Sequence, residues 1–424
     1  MRYIQRLADA SLSEQLARMG AVYVRGPKWC GKTTTCEQFA ASTLKMRDPD
    51  RYAANMEAAA IRPSLLLRGD RPRLIDEWQV APVLWDAVIN EIDEEGGRPG
   101  QFMLTGSATP SRQAEEQPKH TGTGRIARLV MDAMTLEESG ESSCEVRLSA
   151  LFDGSLTQVE AMSSVSVERY AELICGGGWP APIARGVLDT SVAYDYIDAI
   201  CEADISEAAD SNLDPLRARA LLRAIARNTA QEASVPTLLA DVHDVGVGMS
   251  EPTLRVYLNA LRRLFVVEDV RAWAPTLRSR TPLRSASVWH LCDPSLEAAA
   301  LETSPEGLLS DLNTMGYLFE SLCVRDLRAY VRSLGGDVYH YRDKSGLEVD
   351  AVVRLRSGAW GAVEIKLGGA RRIDEGAANV RALAEKVDGH HTPAPAFCMV
   401  LTGGQFGYTR PDGVHVVPIA CLAH

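Results

Sequence analysis

Chemistry-bearing residues stand at fixed spacing in one short stretch near the start of the sequence, GPKWCGKTT, residues 26–34. Gly26, Gly31, Lys32 and Thr33 satisfy the pattern G-x-x-x-x-G-K-[ST]. In such a loop the glycines let backbone N–H groups turn toward phosphate oxygens, the lysine reaches the β and γ phosphates, and the hydroxyl ligates Mg²⁺. The spacing therefore predicts a site for a nucleoside triphosphate and Mg²⁺.

The residues on both sides of this loop predict the strand and the helix that its chemistry needs. AVYV, ahead of the loop, is apolar and β-branched, which indicates a buried parallel strand, and KTTTCEQFAAST predicts a helix. Five further residues are expected to border the phosphates, namely Pro27, Lys28, Trp29, Cys30 and Thr34. For Cys30 the sequence leaves open a reactive thiol or a buried, inert one. The alternative for the whole stretch is a chance match in a turn rich in Gly and Pro.

A second pair of residues that can do chemistry is Asp76-Glu77 in RPRLIDEWQ, about forty residues after the loop. Two apolar residues precede the pair, which predicts a strand that ends at the carboxylates. We expect Asp76 to hold Mg²⁺ through water and Glu77 to polarise the attacking water. The alternative is a capped helix start, where Asp and Glu are also common.

A third apolar run, GQFMLTGSA, predicts another strand, with Thr105 and Ser107 at its tip. Either hydroxyl is a candidate for sensing the γ phosphate, and the alternative is a simple turn residue. Farther along, Arg125 and Arg128 flank the start of a predicted strand. One of them can act in trans as an arginine finger in a homo-oligomer. A surface or interface salt bridge explains them equally well.

The C-terminal third contains a separate set of carboxylates with a lysine. Glu320 lies on the amphipathic helix NTMGYLFESLCVRDLRAYV, Asp350 on the second strand of a predicted hairpin, and Glu364 and Lys366 on the strand WGAVEIKLGG. Period-two alternation places Glu364 and Lys366 on one face of their strand. We expect Asp350 and Glu364 to hold Mg²⁺ while Lys366 orients a water or stabilises phosphate charge, with Glu320 completing the set. ExK alone is weak, because alternating charges are normal on a half-exposed strand.

The order of these residues, a helix with Glu, a hairpin with Asp and a strand with ExK, resembles the PD-(D/E)xK nuclease fold. Two nearby basic residues, Arg342 and Lys344, are candidates for phosphate contact. The resemblance implies the fold more strongly than the activity, because a fold does not determine a reaction.

The middle of the chain contains three predicted helices followed by short β runs. The helices are PLRARALLRAIARNTA, VPTLLADVHDVG and one that begins at Ser250 or Glu251, an order that resembles a winged helix-turn-helix. The third helix carries five polar side chains that can contact nucleic acid: Thr253, Arg255, Asn259, Arg262 and Arg263. Residues 217–284 contain 11 Arg, no Lys and 6 acidic residues, about +5 in a chain of net charge −11. The alternative is a winged helix that contacts protein.

Length and composition limit the classes of protein that fit. A chain of 424 residues is too long for one compact core and predicts two or three domains. Hydrophobic residues make up 46% and charged residues 24%, as in ordinary globular proteins. No apolar run reaches the roughly 18 residues of a membrane span. Nine dispersed cysteines without zinc-type spacing indicate reduced thiols. We therefore expect a cytoplasmic protein without a membrane segment.

Four stretches together resemble prokaryotic AAA-type ATPases that end in an uncharacterised domain: GPKWCGKTT, RLIDEWQ, FMLTGSA and HTGTGRIARLVMDAMTLEESGE. The resemblance covers essentially the whole chain and implies an ATP-binding core over about the first 150 residues. It extends to the element GGGWP, residues 176–180, and to VWHLCDPSLEAAALE. For GGGWP we infer a turn that needs positive φ, and a substrate contact is the alternative.

The predicted fold class is α/β, with a P-loop AAA-like ATPase domain over 1–150 and a helical lid or connector over 151–212. A winged helix-turn-helix over 213–285 and a restriction-endonuclease-like α/β domain over 286–424 follow. The predicted function is ATP binding and hydrolysis with Mg²⁺, coupled to a nuclease-like domain that binds or cleaves nucleic acid. DNA or RNA would bind through 213–285 and the C-terminal domain. The alternative is a nucleotide-gated interaction protein whose C-terminal domain binds a partner or nucleic acid without cleavage.

Overall fold

The structure is a computed structural model that describes residues 3–106, 121–275, 287–387 and 392–424. The chain forms two compact units. The first consists of Met1–Ala133, Ile200–Asp214 and Val256–Val266, and the second of Met134–Ala199, Pro215–Arg255 and Val267–His424. These limits differ from the predicted boundaries at 150, 212 and 285, because two later segments of the chain pack with the N-terminal part.

Helices and strands alternate in the N-terminal part of the first unit. The helices are α1 (Leu7–Arg18), α2 (Lys32–Glu37), α3 (Tyr52–Ile61) and α4 (Val83–Glu94). The strands are β1 (Ala21–Arg25), β2 (Ser42–Lys45), β3 (Arg73–Asp76), β4 (Phe102–Gly106) and β5 (Ile126–Val130). Short 3₁₀ turns cover Pro63–Leu65 and Trp78–Val80.

These five strands form one parallel sheet in the order β2-β3-β4-β1-β5. The register aligns Thr105 with Val24 on one side and with Asp76 on the other. Since the strands are parallel, their carboxyl ends meet at one edge of the sheet, where ligands bind in open α/β folds. The apolar strands predicted from AVYV, RLID and FMLTG are therefore confirmed, and the sheet brings their polar ends together.

Helix α2 is shorter than the helix predicted from KTTTCEQFAAST. It ends at Glu37, and the residues from Ser42 form strand β2, which pairs with β3. Three consecutive threonines, Thr33 to Thr35, lower helix propensity because their χ1 freedom is restricted. From Ser42 onward, pairing with β3 satisfies the backbone hydrogen bonds that a longer α2 would otherwise satisfy, so these residues join the sheet.

The helical middle of the chain begins in the second unit. Its helices are α5 (Leu136–Ser139), α6 (Leu148–Asp153), α7 (Val167–Gly176), α8 (Pro180–Arg185) and α9 (Ser191–Ala199), and its strands are β6 (Val146–Arg147) and β7 (Glu160–Met162). One π turn over Ile200–Asp204 then leads into α10 (Ile205–Ala209). The predicted helix from Ser191 to Ala209 is confirmed, with the π turn as an interruption.

Three helices and a strand follow in the predicted order, but this strand pairs with a later strand, which the sequence placed in the C-terminal domain. They are α11 (Pro215–Arg227), α12 (Val235–Asp244), α13 (Glu251–Arg263), β8 (Val267–Val270) and β9 (Val288–Leu291). Strands β8 and β9 are antiparallel, and single bridges join Trp289 to Thr229 and Val288 to Glu232. Helix α13 begins at Glu251, with Pro252 in its first turn, where the missing N–H of proline costs nothing.

The C-terminal third contains a helix, an antiparallel meander, a second helix and further strands. The helices are α14 (Pro294–Ala300), α15 (Pro305–Ser310), α16 (Leu312–Ser333) and α17 (Ala370–Lys386). The strands are β10 (Gly336–Arg342), β11 (Glu348–Leu355), β12 (Trp360–Lys366), β13 (Phe397–Thr402), β14 (Phe406–Thr409), β15 (His415–Pro418) and β16 (Leu422–Ala423). A 3₁₀ turn covers Ile419–Cys421.

Seven strands of the second unit form a mixed sheet in the order β10-β11-β12-β13-β15-β14-β7. Strands β10, β11 and β12 are antiparallel neighbours, whereas β12 and β13 are parallel. The apolar side chains of β12 and α17 share one buried cluster, which includes Trp360, Val380 and Leu383. The predicted helix, hairpin and ExK strand are therefore confirmed as elements, and helix α17 crosses over to the parallel strand.

The glycine run before Trp179 has a packing role. Gly177 has φ +72°, and a Cβ at Gly178 would lie 2.2 Å from the carbonyl oxygen of Met134. The Gly178 N–H donates to Asp293 Oδ2 at 2.9 Å, and Trp179 Nε1 donates to Ser295 Oγ at 3.0 Å. The inferred turn with positive φ is confirmed at Gly177. Close contact with backbone explains the glycine that follows.

The structure also bears on the predictions about the cysteines and about membrane-spanning segments. All nine cysteines are free thiols. None of the helices in the described part of the chain has the length and apolar composition that a membrane span requires.

Candidate functional site

The loop between β1 and α2 has the backbone conformation that its glycines predict. Gly31 adopts φ +97°, in the left-handed region, immediately before α2 begins at Lys32. At Gly26, with φ +152°, a Cβ would lie only 2.0 Å from the carbonyl oxygen of Met131. A side chain at either position would strain the loop, so both glycines are required by its shape.

Lys32 lies inside this loop. Its side chain is 6% exposed, and its ammonium donates to the carbonyl oxygens of Gly26 at 3.0 Å and of Pro27 at 2.7 Å. The loop thus encloses a positive charge that two neutral carbonyl oxygens hold. A cation held by neutral carbonyls at the centre of a glycine loop is well placed to exchange them for anionic phosphate oxygens.

The three predicted residues at the sheet edge converge on one carboxylate oxygen. Thr33 Oγ1 donates to Asp76 Oδ1 at 2.7 Å, and Thr105 Oγ1 donates to the same oxygen at 2.6 Å. Strand β4 lies between β1 and β3, so Thr105 stands between the loop and Asp76. The oxygens of Thr33 and Asp76 are the hard donors that Mg²⁺ prefers, and this donor set fits the ion that the loop sequence implies.

Glu77 follows Asp76 in a left-handed conformation, with φ +58°. Its Oε2 accepts a 2.5 Å hydrogen bond from Gln79 Nε2 and lies 4.0 Å from Arg47 Nε. Arg47 Nη2 also lies 2.6 Å from Glu207 Oε1. Sequence reasoning missed Arg47, Gln79 and Glu207, because no motif marks them and Glu207 is far away in the chain.

The remaining loop residues have different surroundings. Lys28 Nζ lies 2.6 Å from Asp204 Oδ1, and Trp29 is 52% exposed. Cys30 is fully buried, and its thiol donates to the carbonyl of Met131, which favours the inert thiol. Thr34 is exposed on α2.

Arg6, which sequence reasoning missed, connects the loop to the chain segment after β5. Its side chain is buried, and its guanidinium donates to the carbonyl oxygens of Cys30 at 2.6 Å and of Asp132 at 2.9 Å. This double contact ties the loop to the segment that follows β5. An arginine in an N-terminal helix cap carries no sequence signal for such a role.

The structure does not bring the two candidate finger arginines to the loop of their own chain. Arg125 precedes β5, at the amino edge of the sheet, and pairs with Asp93 at 2.9 Å. Arg128 is exposed in the middle of β5, in register with Tyr23. Action of either residue in trans stays a prediction, and the pair of Arg125 with Asp93 agrees with the alternative of a salt bridge. Ser107 lies outside the described residues.

The second predicted set also meets in space. Lys366 Nζ lies 2.9 Å from Asp350 Oδ2 and 2.5 Å from Glu364 Oε2, and the Ile365 N–H donates to Asp350 Oδ2 at 2.7 Å. Asn379 on α17, which sequence reasoning missed, donates to Glu364 Oε1 at 3.1 Å. Strands β11 and β12 are antiparallel neighbours, and this pairing brings the two carboxylates to one place.

Burial and mutual repulsion dominate the electrostatics of this carboxylate–lysine cluster. Burial, reinforced by the charge of Asp350, raises the pKa of Glu364 to about 8. Burial and the same charge raise the pKa of Glu320 well above its usual range. Burial alone would lower the pKa of Lys366, but Asp350 and Glu364 raise it above its ordinary value. Strongly shifted groups gathered around one lysine are typical of functional sites, although structural ion pairs shift pKa values too.

A bound metal is not required by this geometry. Among the described residues, no group of three or more His, Cys, Asp and Glu side chains is arranged to hold a metal ion. The ammonium of Lys366 lies between the carboxylates of Asp350 and Glu364. The metal role of Asp350 and Glu364 therefore stays a prediction.

The basic residues of the predicted winged helix largely have partners. Arg255 and Asn259 are exposed on α13, as predicted. The pairs and their separations are Arg219–Asp198 at 2.7 Å, Arg223–Glu302 at 3.5 Å, Arg227–Asp241 at 3.6 Å, Arg255–Glu251 at 2.7 Å and Arg262–Asn259 at 3.4 Å. Asp241 and Glu251 are already part of the count of about +5, whereas Asp198 and Glu302 lie outside residues 217–284. Pairing with these two carboxylates lowers the local positive charge below that count.

Comparisons with known proteins match this chain in three parts. Residues 18–139 match the family model described as an AAA domain. Residues 167–307 match "Domain of unknown function (DUF8612)", and residues 315–422 match "Domain of unknown function (DUF4143)". A search of curated proteins finds no match.

Solved structures give weaker overall similarity. A Walker-type ATPase of Pyrococcus abyssi is 12% identical, with a TM-score of 0.42 over 70% of this chain and 96% of its own. A RuvB variant of Thermotoga maritima is 17% identical, with a TM-score of 0.26 over 62% and 88%. Drosophila ORC bound to DNA is 15% identical, with a TM-score of 0.18 over 70% and 85%. The family match over residues 18–139 and the parallel sheet with its glycine loop together support a P-loop domain of the AAA type in the N-terminal part of this chain.

Proposed function

We propose that the N-terminal domain hydrolyses Mg·ATP at the loop of residues 26–33. The observation that carries this proposal is the meeting of Thr33 and Thr105 on Asp76 Oδ1, directly beside the glycine loop. A chance match to the loop pattern would give no reason for residues on three separate elements to meet there. The AAA match over residues 18–139 supports the same proposal.

Each residue has a role that follows from its position. Lys32 exchanges the carbonyls of Gly26 and Pro27 for oxygens of the β and γ phosphates. Thr33 and Asp76 hold Mg²⁺, which supplies charge neutralisation at the phosphates. Glu77 accepts a hydrogen bond from the attacking water and so orients it.

Thr105 is positioned to report the state of the site. It is 1% exposed, and its hydroxyl is bonded to Asp76. A hydroxyl between the metal-holding carboxylate and the phosphate loop responds when either group moves. We assign Thr105 the sensing role that the sequence predicted.

The test compares ATP turnover of the wild type with that of Lys32→Ala, next to Lys386→Ala as a control. Lys386 is a half-exposed lysine at the end of α17, in the second unit, and pairs with Asp343. We expect Lys32→Ala to lose activity by about 100-fold or more, since it removes a charge that contacts the transferred phosphate. Equal activity of the two variants would reject the proposed site.

A second candidate activity, metal-dependent cleavage of nucleic acid, is favoured by the cluster of Asp350, Glu364 and Lys366. The supporting observation is the element order α16, β10, β11, β12, α17 and β13, with β12 and β13 parallel, which agrees with the predicted nuclease-like fold. Two carboxylates, each within 2.9 Å of the same lysine ammonium, can hold a metal and stabilise phosphate charge once the lysine shifts. The rival is a nucleotide-gated interaction domain that binds without cleavage.

The nuclease hypothesis and the interaction-domain hypothesis predict different results in a cleavage assay. Duplex DNA, single-stranded DNA and RNA are incubated with the protein and Mg²⁺ or Mn²⁺, with chelator as the metal-free arm. Cleavage that chelator and Asp350→Asn both abolish, but that Asp337→Asn leaves intact, supports the nuclease. Asp337 is a suitable control because it lies on β10 and pairs with Arg271 instead. Absence of cleavage with every substrate favours the rival.

We also propose that residues 213–285 form a winged helix that contacts a partner. The order of α11, α12, α13 and β8 supports this arrangement, whereas the strand that pairs with β8, β9, lies beyond residue 285. The ion pairs of its arginines favour a protein partner over nucleic acid. ATP turnover measured with and without duplex DNA, single-stranded DNA and RNA tests this, because stimulation by one of them would identify a nucleic-acid partner.

A further inference from the structure

A contact between Lys28 and Asp204 joins the nucleotide loop to a distant part of the same unit. Lys28 Nζ lies 2.6 Å from Asp204 Oδ1, and the two side chains are 34% and 11% exposed. The residues are 176 positions apart in the chain. The loop therefore holds a second lysine besides Lys32. The ammonium of this second lysine, Lys28, already pairs with a carboxylate.

Asp204 belongs to an acidic segment, which we define as residues 200–210. The segment contains the π turn Ile200–Asp204 and helix α10, and its acidic residues are Glu202, Asp204, Glu207 and Asp210. π turns are rare inside helices and concentrate at functional sites. Here Asp204 is the last residue of the turn, so the irregular turn sets the position of the carboxylate that contacts the loop.

The acidic segment makes a second contact with a cation beside the proposed site. Glu207 Oε1 lies 2.6 Å from Arg47 Nη2, and Arg47 Nε lies 4.0 Å from Glu77 Oε2. Two carboxylates of the segment thus engage two cations, one in the loop and one near the glutamate assigned to the attacking water. A single surface ion pair would be unremarkable, whereas here two ion pairs from one segment engage cations at the same proposed site.

We propose that Asp204 competes with the triphosphate for Lys28, so that the acidic segment lowers the affinity for ATP and loses its hold on the loop when ATP binds. This inference rests on the proposed ATP site. A bound triphosphate brings several negative charges next to Lys28, which weakens the attraction between Lys28 and Asp204 and repels the carboxylate. By linkage, the contact weakens ATP binding by the same factor by which ATP weakens the contact.

The experiment measures binding of a non-hydrolysable ATP analogue with Mg²⁺ to the full chain by calorimetry. Asp204→Asn should tighten binding by about three- to fivefold, the range expected for a partly buried ion pair. Glu202→Gln is the matched control. It removes the same charge from an exposed position two residues away on the same turn and should change affinity by less than about 1.5-fold.

A double-mutant cycle shows whether the effect passes through Lys28. In a Lys28→Met background, Asp204→Asn should change the affinity for the analogue by less than about 1.5-fold, because the ammonium for which Asp204 and the triphosphate compete is absent. If Asp204→Asn changes affinity no more than Glu202→Gln does, or has the same effect with Met at position 28, the inference is overturned.

Thermal unfolding without ligand distinguishes this inference from the competing explanation, in which the Lys28–Asp204 ion pair only stabilises the fold. That explanation predicts a lower Tm for Asp204→Asn with unchanged affinity, which would also overturn the inference. If Asp204→Asn fails to fold, Asp204→Ser replaces it in the same cycle, with the same expected tightening of about three- to fivefold. A wild type that binds no analogue at all would reject the proposed ATP site itself, a result distinct from equal binding by wild type and Asp204→Asn.

Discussion

The hydroxyl of Thr33 donates a 2.7 Å hydrogen bond to Asp76 Oδ1, although 43 positions separate the two residues in the chain. This bond joins the glycine loop to the carboxyl end of β3, and Thr105 adds a second hydroxyl to the same oxygen. A carboxylate that accepts two hydroxyl hydrogen bonds is held in one orientation. The bond therefore preorganises the two groups to which we assign Mg²⁺.

Replacing Thr105 by valine should slow ATP hydrolysis more than it weakens ATP binding. The valine keeps the volume of the buried side chain but removes the donor to Asp76, which leaves the carboxylate less fixed. We expect turnover to fall by about tenfold, with affinity for ATP changed by less than about threefold. Turnover and calorimetry on the same preparations provide the check. Thr43→Val, at an exposed position on β2, should match the wild type, and a Thr105→Val enzyme as fast as that control would contradict the sensing role.

Glu77→Gln should separate binding from hydrolysis. The amide keeps the shape of the side chain but orients a water poorly, so turnover should fall by about 100-fold or more while ATP still binds. Single-turnover kinetics and a binding isotherm measure the two quantities separately. Glu57→Gln, an exposed glutamate on α3, serves as the charge control. Parallel loss of binding and turnover would show that Glu77 instead maintains the site, through Gln79 and Arg47.

Glu297 should make the protein less stable as the pH rises. The side chain is fully buried, and burial raises its pKa from the ordinary 4.5 to about 8. Between these pH values the carboxyl stays protonated in the folded chain but is ionised in the unfolded chain. The unfolded state then binds fewer protons, so stability falls with rising pH and levels off above the folded pKa.

Glu297→Gln is neutral at every pH and should remove this dependence. Its stability advantage over the wild type should grow from pH 5 to pH 8 by about 2–4 kcal/mol, in proportion to the pKa shift. Urea unfolding at intervals of pH measures the difference. Glu302→Gln, with an exposed side chain just after the same helix, should show a constant difference from the wild type. A constant difference for Glu297→Gln as well would mean that this carboxyl is ionised in the folded chain.

Gly178→Ala should destabilise the second unit strongly. The added Cβ would lie 2.2 Å from the Met134 carbonyl oxygen, a backbone atom that cannot move aside cheaply. We expect a loss of about 2 kcal/mol or more in the free energy of unfolding, as for other steric conflicts at packed backbone. Gly248→Ala provides the comparison, because a Cβ there meets nothing within 4 Å. Similar unfolding midpoints for both variants would contradict the packing role of the glycine run.

The sequence was sufficient to predict the residues whose chemistry is local to a motif. The positions of Thr33, Asp76 and Thr105 at one sheet edge follow from strand–loop–helix order, because parallel strands align their carboxyl ends. The meeting of Asp350 with Lys366 likewise follows from a hairpin beside an ExK strand.

Contacts across long chain separations could not be predicted. Asp204 reaches Lys28 only because residues 200–214 pack with the N-terminal part of the chain, and helix periodicity carries no information on that packing. The extent of α2 was wrong for a related reason, since pairing of Ser42–Lys45 with β3 outweighs local helix propensity. The lower positive charge around α11 depends on partners such as Asp198 and Glu302, which lie outside the segment whose charges were counted.

Calorimetric titration of the full chain with ATP and Mg²⁺ tests the central claim most directly. The account predicts saturable binding at one site per chain in the wild type and no measurable binding by Lys32→Ala, whose circular dichroism spectrum should match that of the wild type. If the wild type shows no heat of binding with ATP or GTP, or if Lys32→Ala binds as tightly as the wild type does, residues 26–33 are not a nucleotide site and the account is contradicted.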